Sequence, residues 1–260
     1  MKVGIFDSGL GGLTIVHAIS ELIQGAELFY IADTKNAPYG ESTPKQILQY
    51  SLDITQRLID KHQIEALIIA CNTATSAAIH TLRNKYPELI IIGTEPGIKP
   101  AIEQTVSHKI GVLATPATLK GLKYQKLAHA LAHKKNVKLF EQSCPGLVEQ
   151  IEKGEIDTPK TLGMLEQWLA PMRENSVDTI VLGCTHYPLV SKSIRNIMQK
   201  NVTLIHTGEA IAKHLLYLAQ KKNHLNKGEL KISLYSTGEI NESIVHTIFN
   251  KAIKVKRCYA

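Results

Sequence analysis

Short apolar runs of strand length alternate with longer amphipathic stretches along the whole chain. Several of the short runs are unbroken, which is typical of parallel strands buried on both faces. Helices are predicted between them, for example over residues 13–23, 44–62 and 161–174. Strands that alternate with helices indicate an α/β fold with parallel sheets. The predicted strands span residues 2–6, 27–31, 65–70, 89–93, 109–114, 137–141, 178–183, 202–206 and 230–235.

The second half of the chain repeats the order of the first. The matching pairs of segments are 4–6 with 111–113, 28–29 with 139–140, 71–73 with 184–186, and 90–98 with 203–211. This order predicts two similar parallel-sheet α/β domains related by a pseudo-twofold axis. We expect residues 1–94 with 208–260 to form the first domain and residues 95–207 to form the second. Because ligands bind at the carboxyl ends of parallel strands and in clefts between domains, the active site is expected in the interdomain cleft.

The polar motifs of the chain each follow a predicted strand. They are Asp7-Ser8-Gly9, Asp33-Thr34 with Pro38-Tyr39-Gly40, Cys71-Asn72-Thr73, Thr94-Glu95-Pro96-Gly97, Thr115-Pro116 and Cys184-Thr185-His186. Strand ends at one edge of a parallel sheet lie close together, so these motifs are expected to converge on one site.

Cys71 and Cys184 are the candidate reactive groups. A thiol has a free pKa near 8.5, so it can serve as an acid or base as well as a nucleophile at neutral pH. Either cysteine alone would more simply be an inert buried residue, as cysteines in apolar runs commonly are. Their equivalent positions in the two halves favour a shared catalytic role.

Two ionisable residues could tune these thiols. Asp7 ends a strand and could orient or deprotonate a neighbouring thiol, although it could equally cap the next helix. His186 lies two residues beyond Cys184, so in an extended segment both side chains would point the same way. The glycines of residues 9–12 do not complete a dinucleotide fingerprint, because Thr14 occupies the third glycine position. A turn that brings amide groups near a carboxylate is the better interpretation.

Composition limits the classes of protein. The 260 residues are 44% hydrophobic and 20% charged, as in an ordinary globular protein. The N-terminus starts on a strand-like run and no run is long enough to span a membrane, so neither a signal peptide nor a membrane partner is expected. Four scattered cysteines fit a reducing cytoplasm and favour neither a disulfide framework nor a metal site. The net charge of +7 is spread along the chain, which favours a small anionic substrate over nucleic acid.

Five motifs together resemble bacterial glutamate racemases of the aspartate/glutamate racemase family, and they cover nearly the whole chain in order. They are the segments 4–12 (GIFDSGLGG), 32–41 (ADTKNAPYGE), 70–75 (ACNTAT), 93–97 (GTEPG) and 182–189 (LGCTHYPL). The resemblance implies a cofactor-independent interconversion of L- and D-glutamate in a cleft between two α/β domains, which supplies D-glutamate for peptidoglycan. It leaves open whether the subunits pair as a homodimer.

The resemblance also implies roles for individual residues. Cys71 would act on D-glutamate with support from Asp7, and Cys184 would act on L-glutamate with support from His186. Glu152 corresponds to an acid that follows a Cys-Pro motif in the family, although Glu149 lies near it in the sequence. The implied substrate contacts are Asp7, Ser8, Tyr39, Gly40, Asn72, Thr73, Thr185 and His186.

Two alternatives remain at this point. An aspartate racemase of the same family would share the fold and the paired cysteines. A non-catalytic amino-acid-binding protein would also suit a two-domain α/β cleft. The motifs around Tyr39 and His186 favour glutamate, and the presence of both thiols favours catalysis.

Overall fold

The structure is a computed structural model that describes residues 1–199, 201–222, 224 and 228–258. The chain divides into two compact units, Met1–Thr94 with Thr207–Ala260 and Glu95–His206. The strands are β1 (Lys2–Asp7), β2 (Glu27–Ala32), β3 (Ala66–Ile69), β4 (Ile90–Gly93), β5 (Lys109–Ala114), β6 (Lys138–Ser143), β7 (Thr179–Leu182), β8 (Thr203–Ile205), β9 (Lys231–Ser236) and β10 (Val255–Arg257).

Helices follow most of these strands. They are α1 (Leu13–Leu22), α2 (Pro44–His62), α3 (Asn72–Lys85), α4 (Ile98–Gln104), α5 (Pro116–Lys120), α6 (Leu122–Lys134), α7 (Leu147–Glu152), α8 (Pro159–Glu174), α9 (Ser191–Met198), α10 (Gly208–Lys221) and α11 (Glu242–Phe249). Short 3-10 helices span Thr34–Asn36, Tyr39–Glu41 and Tyr187–Val190.

Each unit contains one parallel sheet. The strand order is β10-β9-β2-β1-β3-β4 in the first unit and β6-β5-β7-β8 in the second. Within each unit the first strand therefore pairs with the second on one side and the third on the other, and the fourth lies beyond the third. The prediction of two similar parallel-sheet α/β domains is confirmed. The strands that carry matching sequence segments occupy equivalent positions in the two sheets.

The basic segment near the C-terminus forms a strand that the sequence pattern does not predict. Val255–Arg257 is β10, at the edge of the first sheet, and Lys256 and Arg257 remain exposed. Val255 pairs with Leu234 and Arg257 with Ser236. The run is too short and too polar to show a strand pattern. Exposed basic side chains on an edge strand discourage pairing with another chain, which suits this position.

The helix starts follow from local sequence. Thr43 caps α2 by accepting a hydrogen bond from the Gln46 amide, while the Gln46 side chain accepts one from the Thr43 amide. This capping box and the proline at the first helical position fix the start of α2. Thr158 and Pro159 start α8 in a similar way. The long apolar runs of the sheets are buried beneath such helices. No helix within the described ranges is long and apolar enough to cross a membrane.

Candidate active site

The first unit brings Asp7 and the Cys71 segment to the same edge of its sheet. Asp7 is the last residue of β1, and Cys71 lies two residues beyond β3, which pairs with β1 in parallel. The register pairs Phe6 with Ile69, so both chains leave the sheet at the same level. The Asp7 side chain is fully buried and that of Cys71 is buried. The parallel topology therefore explains why a carboxylate and a thiol distant in sequence become neighbours.

Ser8 connects these two groups. Its amide donates a hydrogen bond of 2.7 Å to Asp7 Oδ1, and its hydroxyl donates a longer one of 3.3 Å to the same oxygen. The Cys71 thiol lies 3.9 Å from Ser8 Oγ, at the long end of hydrogen bonds to sulfur. The Asp7 carboxylate is therefore linked to the thiol through a hydroxyl group.

Cys71 also lies at the N-terminus of a helix. It is the N-cap of α3, and its sulfur accepts a hydrogen bond of 3.4 Å from the Ala74 amide. The partial positive charge of a helix N-terminus favours a thiolate over a thiol at this position. Asn72 and Thr73 form the first turn of α3 and are buried beside the sulfur.

The glycine-rich segment after β1 lets α1 start close to Asp7. A Cβ atom on Gly12 would lie 2.8 Å from the Asp7 Cβ and 3.0 Å from the Ala70 Cβ. Real Cβ atoms do not approach so closely, so only glycine fits. The Tyr30 hydroxyl donates a 2.5 Å hydrogen bond to the Gly9 carbonyl and fixes the turn. The glycines therefore serve close packing around the carboxylate.

Tyr39 and Gly40 follow β2 in a segment that includes a cis Ala37–Pro38 peptide bond. Tyr39 is buried, its hydroxyl donates a 2.6 Å hydrogen bond to Asp33 Oδ2, and its ring shares an apolar cluster with Cys71. Burial raises the pKa of Tyr39, and the charge and hydrogen bond of Asp33 raise it further. The side chain is therefore a neutral phenol. Gly40 is half-buried beside it.

In the second unit, Cys184 follows β7 after a glycine that the strand pairing requires. The Gly183 amide donates a 2.7 Å hydrogen bond to the Leu113 carbonyl. A Cβ atom on Gly183 would lie 2.9 Å from that same carbonyl oxygen. Glycine therefore allows β7 to leave the sheet close to β5 and presents Cys184, whose side chain is buried, at the strand end.

His186 contacts Cys184 through a turn. The sequence predicts an extended segment here, but His186 has φ −77° and ψ −31° and precedes the 3-10 helix Tyr187–Val190. Cys184 Sγ lies 3.6 Å from His186 Nδ1. Thr185, between them, is buried as well. The short 3-10 helix thus turns the imidazole ring back toward the thiol.

Glu152 completes this group. Its Oε1 atom lies 2.5 Å from His186 Nε2, while the His186 side chain is only 2% exposed. Burial by itself lowers the pKa of His186, but hydrogen bonds with Cys184 and Glu152, and the charges of both, raise it well above its usual value. The imidazole is therefore protonated at neutral pH, held between the carboxylate and the thiol.

The structure also separates Glu152 from Glu149. Both lie on α7, three positions apart, but the hydrogen bond to His186 is made by Glu152. Glu149 interacts electrostatically with Tyr187. The sequence left both carboxylates as candidates for the acid of the second unit. In the fold they lie next to different residues.

Cys144 is a neighbour of the site that sequence reasoning left without a role. Its thiol is buried, and the Tyr187 hydroxyl and the Cys184 thiol lie near enough to affect its titration. Burial raises the pKa of Cys144 to about 12, and the charge of Cys184 also raises it. Cys144 is therefore a neutral thiol near Cys184. Its position directly after β6, within a Cys-Pro pair, was the available signal.

The part of the chain that the structure describes contains no cluster of three or more histidine, cysteine or acidic side chains able to hold a metal ion. The predicted site residues instead form two groups, one on each unit. The first is Asp7, Ser8, Tyr39, Gly40, Cys71, Asn72 and Thr73, and the second is Glu152, Cys184, Thr185 and His186. Each group presents one thiol with its own ionisable partner, which suits proton transfer.

Comparison with known proteins identifies the class. The sequence profile of the Asp/Glu/Hydantoin racemase family matches residues 12–215. The chain therefore belongs to this family of isomerases.

Individual relatives show which enzymes of this family the chain is similar to. A glutamate racemase of Sulfurovum sp. (strain NBC37-1) is 65% identical over 248 residues, which cover 95% of this chain and 94% of the relative. A glutamate racemase isoform from Bacillus anthracis has a similar structure, with a TM-score of 0.86, 30% identity and coverage of 98% and 96% of the two chains.

A third comparison carries a ligand. The glutamate racemase of Francisella tularensis, solved in complex with D-glutamate, has a TM-score of 0.83, 26% identity and coverage of 100% and 97%. These relatives place the chain among the glutamate racemases of the family. The predicted resemblance and the prediction of an isomerase are confirmed.

Proposed function

We propose that this isomerase interconverts L- and D-glutamate at Cα without a cofactor, with Cys71 and Cys184 as the two bases. The observation that carries the proposal is the environment of the thiols. Cys71 lies at a helix N-terminus and is linked through Ser8 to Asp7. Cys184 contacts His186, which is paired with Glu152. Two thiols with separate proton partners suit a reaction that removes a proton from one face and supplies one to the other.

The proposed steps balance in protons. For D-glutamate, the Cys71 thiolate takes the Cα proton and the C–H electron pair stays on the substrate as a carbanion. The Cys184 thiol then donates its proton to the opposite face of Cα, which gives L-glutamate. In the reverse direction Cys184 is the base and Cys71 is the acid. The protonated His186 replaces the proton that Cys184 gives up or stabilises its thiolate, and Asp7 acts through Ser8 on Cys71.

The carbanion sets the main energetic demand. Without a cofactor to delocalise the charge, hydrogen-bond donors around the α-carboxylate must stabilise it. Ser8, Asn72, Thr73 and Thr185 are buried neutral donors beside the two thiols. We assign them, together with the Tyr39–Gly40 segment, to binding the substrate: their O–H and N–H groups donate to its carboxylates, and their side-chain oxygens accept from its ammonium group. The net charge of +7 attracts glutamate, which is an anion at neutral pH because it carries two carboxylates and one ammonium group.

The biological role follows the resemblance. We propose that the product D-glutamate is used for peptidoglycan synthesis and that the enzyme works in the cytoplasm, with a homodimer as the assembly to test. Support comes from the high identity to bacterial glutamate racemases over nearly the full length of both chains. The same identity favours glutamate over aspartate as substrate.

Isotope exchange in heavy water tests the two-base proposal. With each enantiomer as starting material, deuterium should enter the newly formed product well before it enters the remaining substrate. This is expected because the base that removes the Cα proton and the acid that delivers the new one are different groups. Equal early labelling of both enantiomers would contradict a two-base mechanism.

Cysteine variants test the assignment. Cys71→Ser and Cys184→Ser should each lose nearly all racemisation, since a serine hydroxyl is a far weaker acid than a thiol. Cys258→Ser is the matched control and should retain activity, because Cys258 is partly buried and follows β10 at the edge of the first sheet. Assays with aspartate distinguish the aspartate alternative. Binding of glutamate by the unaltered chain without any turnover would support the binding-protein alternative instead.

A further inference from the structure

The segment that carries Tyr39 is held by hydrogen bonds to residues from the C-terminal part of the first unit. The Thr237 hydroxyl donates a 2.8 Å hydrogen bond to Asp33 Oδ1 and accepts a 3.1 Å hydrogen bond from the Lys35 amide. The Gly238 amide donates a 3.0 Å hydrogen bond to the Thr34 hydroxyl. Some two hundred residues of sequence separate the partners, so the sheet alone brings them together: β2 and β9 are paired, and each ends beside the other.

Asp33 is the centre of this arrangement. Its side chain is only 2% exposed. One carboxylate oxygen accepts from Tyr39 at 2.6 Å and the other from Thr237, while the Asn36 amide group donates to both. A carboxylate that holds several donors at once fixes the direction of each. The Tyr39 hydroxyl is therefore oriented by a group whose own orientation depends on Thr237 and Asn36.

Gly238 permits the approach of the two segments. A Cβ atom there would lie 3.0 Å from Thr34 Oγ1 and 3.1 Å from the Lys35 amide nitrogen. These are closer than ordinary contacts, so a side chain would push the segments apart. Thr237 and Gly238 therefore pack directly against the segment that contains Asp33.

We propose that Asp33 and Thr237 are positioning residues for substrate binding, which hold Tyr39 and Gly40 in place beside Cys71. The inference rests on the proposed function, in which the Tyr39–Gly40 segment contacts the substrate. The Tyr39 ring shares an apolar cluster with Cys71, so a shift of the ring would change the wall of the site next to the thiol. The hydroxyl of Thr237 acts on the substrate through Asp33 and then Tyr39, without touching it.

The test is the Thr237→Val variant, which keeps the shape of the side chain and removes the hydroxyl. Racemisation of both glutamate enantiomers is followed by circular dichroism to obtain kcat and KM. Loss of the two hydrogen bonds that this hydroxyl makes with Asp33 and the Lys35 amide should raise KM about fivefold and change kcat less than twofold. A variant that merely contains less folded enzyme would instead lower kcat and leave KM unchanged. Thr237→Ser, which restores the hydroxyl, should have a KM within about twofold of the original value.

A double-variant cycle tests the route. In a Tyr39→Phe background, the Thr237→Val change should raise KM by less than about twofold, because its effect passes through the Tyr39 hydroxyl. Asn36→Ala, which removes the third side-chain donor to Asp33, gives the same test if Thr237→Val does not fold. Thr247→Val is the matched control. Its hydroxyl donates a 2.9 Å hydrogen bond to the Ser243 carbonyl within α11, and KM should not change.

The outcomes separate the proposals. An unchanged KM in folded Thr237→Val would overturn the positioning role, and so would fully additive effects in the Tyr39→Phe background. In either case, racemisation of glutamate by the wild-type chain would still support the proposed function. A wild-type chain that does not racemise glutamate would overturn both. A raised KM that serine restores would support the positioning role.

Discussion

The pairing of His186 with Glu152 gives the sharpest prediction. Glu152→Gln keeps the size of the side chain and removes the charge that faces the buried imidazolium. Hydrogen bonds that involve a charged partner are worth about 2 kcal/mol. If the variant loses all of this free energy from the stabilisation of the transition state, kcat/KM falls by about thirtyfold. Because L- and D-glutamate are mirror images with an equilibrium constant of one, kcat/KM must fall equally in both directions.

The pH dependence of stability provides a second readout for the same variant. Contacts with Cys184 and Glu152 outweigh burial and raise the pKa of His186 in the folded protein. A raised pKa stabilises the folded state below the unfolded value of about 6.5, and this contribution is lost as pH rises through the folded pKa. The variant should therefore be destabilised most between about pH 5 and 6.5 and least in alkaline solution, as measured by urea unfolding.

Glu149→Gln is the matched control, since it removes the same charge from the same helix. Its activity should stay within about threefold of the original, as is usual for a carboxylate that makes no bond to the reacting groups. A larger loss for Glu149→Gln than for Glu152→Gln would refute the assignment of the second-unit acid. A destabilisation of Glu152→Gln that grows with pH would refute the charge-pair explanation.

Three further predictions concern the surroundings of the two groups. Burial raises the pKa of Asp178, but hydrogen bonds from residues 105–107 outweigh it and lower the pKa to about 2. Asp178→Asn should therefore cost about 1 kcal/mol of unfolding free energy at neutral pH after allowing for solvent screening, and this difference should vanish as pH falls toward 2 in urea titrations. Gly12→Ala should lower the free energy of unfolding by about 1 to 3 kcal/mol, because the added Cβ would clash with Asp7. It should also lower kcat/KM, and unchanged activity would contradict the packing argument. Cys144 should resist iodoacetamide at pH 8, as followed by mass spectrometry of its peptide, because its thiol is buried and neutral; rapid labelling would contradict the raised pKa.

Much of the fold could be predicted from the sequence because its signals are local. Unbroken apolar runs marked the strands, and Thr43 with Pro44 marked the start of α2. The paired motifs at Cys71 and Cys184 predicted two similar units, and the two sheets have the corresponding strand order. β10 was missed because three residues within a basic run carry no strand pattern; pairing with β9 makes this segment a strand.

The candidate site was predictable as residue types but not as contacts. Glu149 and Glu152 are equivalent in local sequence, and the arrangement of α7 against the turn at His186 decides which one bonds to the imidazole. Cys144 gave no periodic signal, and its closeness to Cys184 comes from packing within the second unit. Sequence reasoning placed such groups near strand ends but could not pair them.

The sequence by itself determined most of the strands, the start of α2, the position of both thiols at strand ends and the family to which the chain belongs. The tertiary structure alone decided the partners: Ser8 between Asp7 and Cys71, Glu152 on His186, and Thr237 on Asp33. The physical reason is the range of the interactions. Periodicity and capping act over a few residues, whereas a hydrogen bond between distant segments exists only once sheet pairing has brought their ends together.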